Sequence, residues 1–142
     1  MKRLFNWIIG KIGRRGIVYG FYGFIALFLG LGSIGNPPSS QAVNNIEMLL
    51  EIAPIQFWYV LWTLTGLVCT TSAIAKRLRW LSSALFTFLC FCFSLGYLSS
   101  EIFGEHANRA WVGTILYGGF GLTMLTISGW PEGQQETNKE SS

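Results

Sequence analysis

The fold is decided by residues 55–100, IQFWYVLWTLTGLVCTTSAIAKRLRWLSSALFTFLCFCFSLGYLSS. Two runs without a single charge, 55–75 and 80–100, lie on either side of the basic turn 76–79. Because a helix rises about 1.5 Å per residue, each run is long enough to cross the hydrocarbon layer of a bilayer, which is roughly 30 Å thick. A turn of this length makes the two helices antiparallel neighbours. The stretch therefore predicts a transmembrane helical hairpin.

Two further charge-free runs, 16–35 and 110–130, complete a set of four. None of the four carries the polar face that is typical of a surface helix in a soluble protein. Only 12% of the 142 residues are charged, whereas soluble domains have about 25%. We therefore expect an all-α integral membrane protein, an antiparallel bundle of four helices. The composition argues against a soluble enzyme.

The first run also has features of a secretory signal peptide. It follows a basic N-terminal segment and ends near the small residues Ser33 and Gly35, where a cleavage site is conceivable. The run is longer than the apolar region of a usual signal peptide, and it opens with the bulky residues Tyr19, Phe21 and Tyr22. We favour an uncleaved signal anchor, and cleavage remains the alternative.

Positive charges are concentrated beside particular runs. The N-terminal segment 1–15 and the turn 76–79 hold eight of the ten Lys and Arg, whereas the loop 36–54 holds two Glu and no cation. The loop 101–109 holds one cation, and the polar tail 131–142, predicted to be disordered, holds another. Since cytoplasmic loops are enriched in Lys and Arg, both termini are predicted to lie in the cytoplasm. The cations predicted to set this topology are Lys2, Arg3, Lys11, Arg14, Arg15, Lys76, Arg77 and Arg79.

Tryptophans fall near the ends of the runs, where indole rings favour the boundary between lipid and water. Trp7, Trp80 and Trp130 are predicted at the cytoplasmic interface. Trp58, Trp62 and Trp111 are predicted at the outer interface.

Two segments are predicted to lie on the membrane surface rather than across it. Segment 1–15 alternates apolar and basic residues, as a basic interfacial helix does. The outer loop 36–54 contains apolar residues at helical spacing over 43–53, after an N-cap signature in which Glu47 follows Asn44 by three residues. We expect a short amphipathic helix on the outer leaflet, with a re-entrant plug or a partner-docking helix as the alternatives.

Each run carries a stripe of small or hydroxyl-bearing residues at steps of three and four. Such residues allow close approach of helices and hydrogen bonds between them in lipid, so the stripes predict helix packing within the bundle. The alternative is a weakly polar lumen face that becomes wet when copies assemble. In the order of the runs, the stripes are Gly16, Gly20, Gly23 and Gly30; Thr63, Gly66, Thr70 and Ala73; Ser83, Thr87, Cys90 and Ser94; and Thr114, Gly118, Gly121 and Ser128.

Residues that could carry chemistry are scarce. The four runs contain no Asp, Glu, Lys, Arg or His, which argues against a proton-coupled exporter. The three Cys lie inside runs and the single His106 lies in a loop, so the convergent ligands of a zinc site are not predicted. The mixed-charge cluster Glu101, Glu105, His106 and Arg109 lacks a pair of nucleophile and base, unless Ser99 or Ser100 serves as the nucleophile. We expect no catalytic site, metal or cofactor, and no nucleic-acid partner.

The whole pattern resembles the small holin-like membrane proteins of phage lysis cassettes: a short basic N-terminus, four spans, a basic inner turn and a polar charged tail. Residues 127–132, ISGWPE, look like the closing segment of four-span membrane proteins from phages of actinobacteria. The resemblance implies accumulation in the cytoplasmic membrane of the host, homo-oligomerisation and permeabilisation of that membrane, without a cofactor.

A hypothesis of a different class remains open. In it, the chain is a non-catalytic structural or regulatory membrane subunit, and the outer amphipathic helix 43–53 docks a membrane or extracytoplasmic partner.

Overall fold

A computed structural model describes residues 2–35, 39, 43–103 and 110–129. These residues are helical or lie in short connections, with no strand among them. The helices are α1 (Lys2–Gly35), α2 (Glu47–Ile52), α3 (Ile55–Ile74), α4 (Arg79–Phe103) and α5 (Ala110–Gly129), and a short 3-10 helix, Lys76–Leu78, joins α3 to α4. The segment Arg15–Ile34 of α1, the whole of α3 and α5, and α4 together with the 3-10 helix before it are long and apolar enough to cross a membrane. The prediction of an all-helical chain with four helices of membrane length is confirmed.

Helix α1 is interrupted near its N-terminal end. Gly13 has φ 69° and ψ 166°, which is a conformation outside the helix and one that glycine adopts more readily than other residues. The break separates the basic start of the chain from the apolar part of α1, Arg15–Ile34.

The long helices are arranged as two closely packed pairs. Helix α1 lies along α3, and α4 lies along α5, and these are the most extensive contacts between helices. Helices α3 and α4 form the antiparallel hairpin that links the pairs. Ala75 is extended (φ −89°, ψ 91°) where α3 ends, and the Ser82 hydroxyl donates to the Val68 carbonyl across the hairpin at 3.3 Å.

Aromatic rings fill the space between the two pairs. The Trp62 ring centroid lies 5.8 Å from that of Phe86 and 5.6 Å from that of Phe93, in edge-to-face arrangements. Phe93 in turn lies 5.3 Å from Tyr117 of α5, and Tyr22 of α1 lies 4.9 Å from Phe86. Aromatic pairs at these separations stabilise packing beyond the area they bury. All four long helices therefore contribute to one interior.

Trp58 and Trp62, which are predicted at the outer interface, are buried within the bundle rather than exposed on its surface. Trp58 is 5% exposed and Trp62 is 2% exposed, and both belong to the interior. The indole Nε1–H of Trp58 donates to the carbonyl of Leu49 at 3.1 Å, so its polar group has a partner inside the protein and does not need water or a lipid headgroup. Trp80 and Trp111 are exposed by contrast.

The outer surface of the bundle is apolar on all four long helices. Phe28 of α1, Leu64 of α3, Phe88 of α4 and Ile115 of α5 are each more than half exposed. Soluble proteins rarely expose contiguous apolar surface on this scale. A surface of this kind is consistent with a location in the hydrocarbon layer.

Helix α4 continues past its predicted end at residue 100 and stops at Phe103. A charge ends a membrane-spanning run, but it does not end a helix, and Glu101 lies in the last turn. Its carboxylate accepts the backbone N–H of Trp111 at 3.3 Å, so the end of α4 is tied to the start of α5.

The start of the short helix α2 also differs from the prediction. Helix α2 begins at Glu47 with Ile46 as its N-cap residue, and no side chain caps it, so the predicted N-cap role of Asn44 is wrong. The apolar face of α2 packs on the bundle, where Leu49 and the preceding Ile46 are buried. Leu49 packs against Gly96 of α4. A Cβ atom added to Gly96 would lie 3.0 Å from the Cγ of Leu49.

Candidate functional site

Glycines allow the backbones of α1 and α3 to touch. A Cβ atom on Gly23 would lie 2.7 Å from the backbone N of Thr70. A Cβ atom on Gly30 would lie 2.6 Å from the backbone N of Thr63, and one on Gly66 would lie 2.6 Å from the backbone N of Leu27. Real Cβ atoms are not found this close to backbone atoms, so these positions admit glycine alone at the present helix separation.

The remaining stripe positions of this pair are less tightly packed. A Cβ atom on Gly20 would meet the Cβ of Ala73 at 3.9 Å, an ordinary contact, and Gly16 is buried. The hydroxyls of Thr63 and Thr70 donate to carbonyls of their own helix at 2.9 and 2.8 Å. Neither hydroxyl has a proton left for a hydrogen bond to α1. Close contact of the two backbones therefore holds this pair together.

Small residues also lie between α4 and α5. A Cβ atom on Gly121 would lie 3.2 Å from the Cβ of Cys90. A Cβ atom on Gly118 would lie 3.2 Å from the Oγ of Ser94, and this hydroxyl donates to the Thr114 carbonyl at 3.0 Å. This pair is therefore joined by a hydrogen bond between helices as well as by contact.

Three other stripe positions have different surroundings. Ser83 faces α1, where its Oγ lies 2.7 Å from the hydroxyl of Tyr19. Thr87 is 7% exposed, and its hydroxyl has no partner within the described part of the chain. Ser128 is exposed and bonds the Leu125 carbonyl of its own helix, so its predicted place on the packing face is wrong. The buried face of α5 advances in steps of three through Met124 to Ile127, which turns it away from position 128.

Two tight contacts have no counterpart among the predicted stripes. A Cβ atom on Gly113 would lie 2.5 Å from the Cδ1 of Tyr97, and Gly96 receives Leu49. Both glycines lie opposite large side chains, whereas the predicted stripes are rows of small residues. Contacts of a glycine with a bulky side chain on another helix cannot be predicted without knowing which helices are neighbours.

The predicted lumen face is covered within a single chain. Cys90 has no exposed surface, and Ser83 and Thr87 are buried. Cys92, two residues along the same helix, is half-buried. In this structure the stripe on α4 is a packing surface that contacts α1 and α5.

One end of the bundle, called here the basic end, carries Arg15, Lys76, Arg77 and Arg79. Lys76 and Arg77 are exposed, whereas Arg79, at the same end of the bundle, is only 8% exposed. Its Nε–H donates to the Ser72 carbonyl at 3.3 Å, and its guanidinium lies 5.8 Å from the centre of the Tyr19 ring. A carbonyl acceptor and an aromatic face together compensate the burial of this charge.

The opposite end, called here the acidic end, carries Glu47, Glu51 and Glu101. It contains an open groove of about 280 Å³ between α2 and the last turns of α4. The Ser100 hydroxyl donates to the Asn44 carbonyl at 3.1 Å and fixes one wall of the groove. The groove is lined by Asn44, Glu47, Met48, Glu51, Ser99, Ser100 and Phe103.

Several predicted features lie outside what the structure describes. They are Trp130, the loop residues Glu105, His106 and Arg109, the tail 131–142, and the side chains of Lys2, Arg3, Trp7, Lys11 and Arg14. Within the described ranges, no three His, Cys, Asp or Glu side chains are placed so that they could hold a metal ion.

Comparison with known proteins gave no match to a family model, to a curated protein or to a solved structure. Any function is therefore inferred from the geometry of the bundle and of its two ends.

Proposed function

We propose that the chain is a non-catalytic subunit of the cytoplasmic membrane, with both termini and the basic end in the cytoplasm and the acidic end outside. The aromatic interior supports this role, because rings around Trp62 and Phe86 occupy the centre of the bundle between all four long helices. Among the described residues, these side chains fill the space between the two helix pairs. The subunit acts through its surface.

The observation that carries the proposal is the groove at the acidic end. The side of α2 that packs on the bundle is already occupied, and the other side presents Glu47, Met48 and Glu51 next to Phe103, which is 82% exposed. Two carboxylates beside exposed apolar side chains complement a segment that carries Lys or Arg together with an apolar residue. The partner is therefore a protein with such a basic, partly apolar segment at the outer membrane surface.

This docking function is tested by site-specific photocrosslinking in whole cells. A photoreactive residue in place of Met48 is expected to give a discrete protein adduct, and the charge reversals Glu47→Lys and Glu51→Lys together are expected to abolish it. The same photoreactive residue in place of Leu64, which is exposed on the side of α3, provides the matched control. An adduct at Met48 that survives the charge reversals, or no adduct at Met48, would contradict docking in the groove.

The second candidate is permeabilisation of the host membrane by an assembly of copies, as the holin-like resemblance implies. An exposed stripe on α5 supports it: Gly119 has open space around it, and Thr123 and Thr126 next to it are exposed. Their hydroxyls donate to carbonyls of the same helix at 2.8 and 2.9 Å. Small residues on a lipid-facing side favour association of helices in membranes.

Induced expression with a dye that reports membrane potential separates the two candidates. Loss of the potential at a defined time after induction, together with disulfide-linked dimers of a Thr123→Cys variant that lacks the native Cys, supports the permeabilising assembly. An unchanged potential at the same level of protein in the membrane supports the subunit.

A further inference from the structure

Among the described residues, the carboxylates and the exposed cations lie at opposite ends of the bundle. The carboxylates of Glu47, Glu51 and Glu101 belong to the acidic end, and Lys76 and Arg77 belong to the basic end. Helix α3 has 20 residues and lies between the two ends, so they are roughly 30 Å apart. No described carboxylate therefore lies within the screening length of the exposed cations at the basic end, about 10 Å.

The turn that carries these cations has a fixed shape. The Leu78 backbone N–H donates to the Ala75 carbonyl at 3.0 Å and closes the 3-10 helix. Arg79 then begins α4 and is held by the Ser72 carbonyl and the face of Tyr19. With the turn anchored in this way, Lys76 and Arg77 are consecutive exposed residues of the turn.

Exposed apolar side chains flank the same turn. Ile74 is 71% exposed on the α3 side, and Trp80 is 74% exposed on the α4 side. A ligand that meets the two cations and also these two side chains has an anionic group at one end and an apolar chain at the other. A phospholipid with a net negative headgroup has both, whereas free phosphate has only the first.

We propose that the turn 76–79 is a binding site for one anionic phospholipid. Lys76 and Arg77 bind the phosphate of the headgroup, and the acyl chains lie along Ile74 and Trp80. Arg79 is a positioning residue that fixes the turn through Tyr19 and Ser72. The site does not depend on the function proposed for the acidic end.

The test uses the full chain, purified in a mild detergent and titrated with lipid in native mass spectrometry. The probes are phosphatidylglycerol and phosphatidylcholine with identical acyl chains. Wild type is expected to retain one phosphatidylglycerol in preference to phosphatidylcholine. The double variant Lys76→Gln and Arg77→Gln is expected to bind phosphatidylglycerol roughly 30-fold more weakly. This factor is the loss expected when two cations near an anionic surface are removed together.

A matched control removes the same two charges elsewhere, in the double variant Lys2→Gln and Arg3→Gln. Retention of phosphatidylglycerol by this control supports a site at the turn. An equal loss in both double variants would indicate general charge attraction and overturn the proposal, as would equal retention of the two lipids by wild type. Thermal unfolding of each variant identifies any that is misfolded, and Lys76→Gln alone then replaces the double variant.

Two further measurements identify the source of the phosphate. Inorganic phosphate, added in excess at constant ionic strength, is expected to leave the bound phosphatidylglycerol in place, and Trp80→Ala is expected to weaken its binding. Displacement of the lipid by inorganic phosphate, or unchanged lipid binding in Trp80→Ala, would indicate an anion site that does not recognise a lipid and would overturn the proposal.

Discussion

The hydroxyl of Tyr19 lies 2.7 Å from the Oγ of Ser83 and joins the first helix to the fourth across the bundle. The Ser83 hydroxyl donates to the Arg79 carbonyl at 3.0 Å, so Tyr19 is the donor in the bond between the two side chains. The ring of the same tyrosine lies under the Arg79 guanidinium. One side chain thus couples helix packing to the position of a buried charge.

Replacing Tyr19 by Phe separates these two roles. The ring remains for Arg79, while the hydrogen bond to Ser83 is lost, which is expected to lower the free energy of unfolding by about 1 kcal/mol. The measurement is thermal unfolding in detergent, followed by circular dichroism. Thr71→Ala is the control, because that hydroxyl is exposed and bonds carbonyls of its own helix. An equal effect of the two substitutions would mean that the bond to Ser83 contributes nothing.

The glycine stripe of α1 gives a graded prediction. Gly23→Ala is expected to destabilise the protein by about 1–3 kcal/mol, because the new methyl group meets the backbone of Thr70 and forces the helices apart. Gly20→Ala is expected to be tolerated, since its Cβ would make an ordinary contact with Ala73. Gly32→Ala, with open space around it, is expected to be neutral or slightly stabilising. Unfolding curves in which Gly23→Ala matches Gly32→Ala would refute the close contact.

The fold class could be read from the sequence because each membrane-length run decides its own structure. The choice of neighbours could not be read in this way. The stripe of small residues on α1 could pack against the stripe of any other helix. Only the assembled bundle shows that Gly23 contacts Thr70. The same limit applies to Gly113, whose contact is the ring of Tyr97.

The burial of amphipathic side chains could not be predicted from the sequence either. Trp58 and Arg79 each have a polar group and a large apolar or planar part, so an interface and a partnered interior are both compatible with their chemistry. Their burial depends on acceptors in the preceding helix, the carbonyls of Leu49 and Ser72, and on how the chain folds back on that helix. A count of charges and indole rings along the chain contains no information about those carbonyls.

The position of Trp58 can be tested directly. Trp58→Phe removes the donor to the Leu49 carbonyl and leaves a gap in the aromatic interior, so we expect a loss of about 1–3 kcal/mol in the free energy of unfolding. Trp111→Phe is the matched control, because Trp111 is 54% exposed. A larger effect at Trp111 than at Trp58 in the same unfolding assay would contradict the buried, hydrogen-bonded position of Trp58.

The orientation of the bundle in the membrane is predicted from its charges. In a variant without the native Cys, Met48→Cys at the acidic end is expected to react with an impermeant thiol reagent in intact cells. Arg77→Cys at the basic end is expected to react only after lysis, because cations favour the cytoplasmic side. Both side chains are exposed, so access across the membrane alone decides the result. Labelling of Arg77→Cys from outside would reverse the orientation.

Cys90 and Cys92 distinguish a dry packing surface from a wet lumen. Cys90 is buried against Gly121, whereas Cys92 is half-buried two residues away, about 200° further round the helix. Thiol reagents need a thiolate, which scarcely forms away from water, so a variant with Cys90 as its single Cys is expected to stay unmodified by a water-soluble reagent. The variant with Cys92 alone provides the reference, and mass spectrometry of the intact protein gives the modified fraction.

If Cys90 becomes reactive when the membrane potential is lost while Cys92 does not, then the stripe on α4 opens to water in an assembly. That result favours the permeabilising function over the subunit. If Cys90 stays silent during a measured loss of potential, the lumen does not form along this stripe.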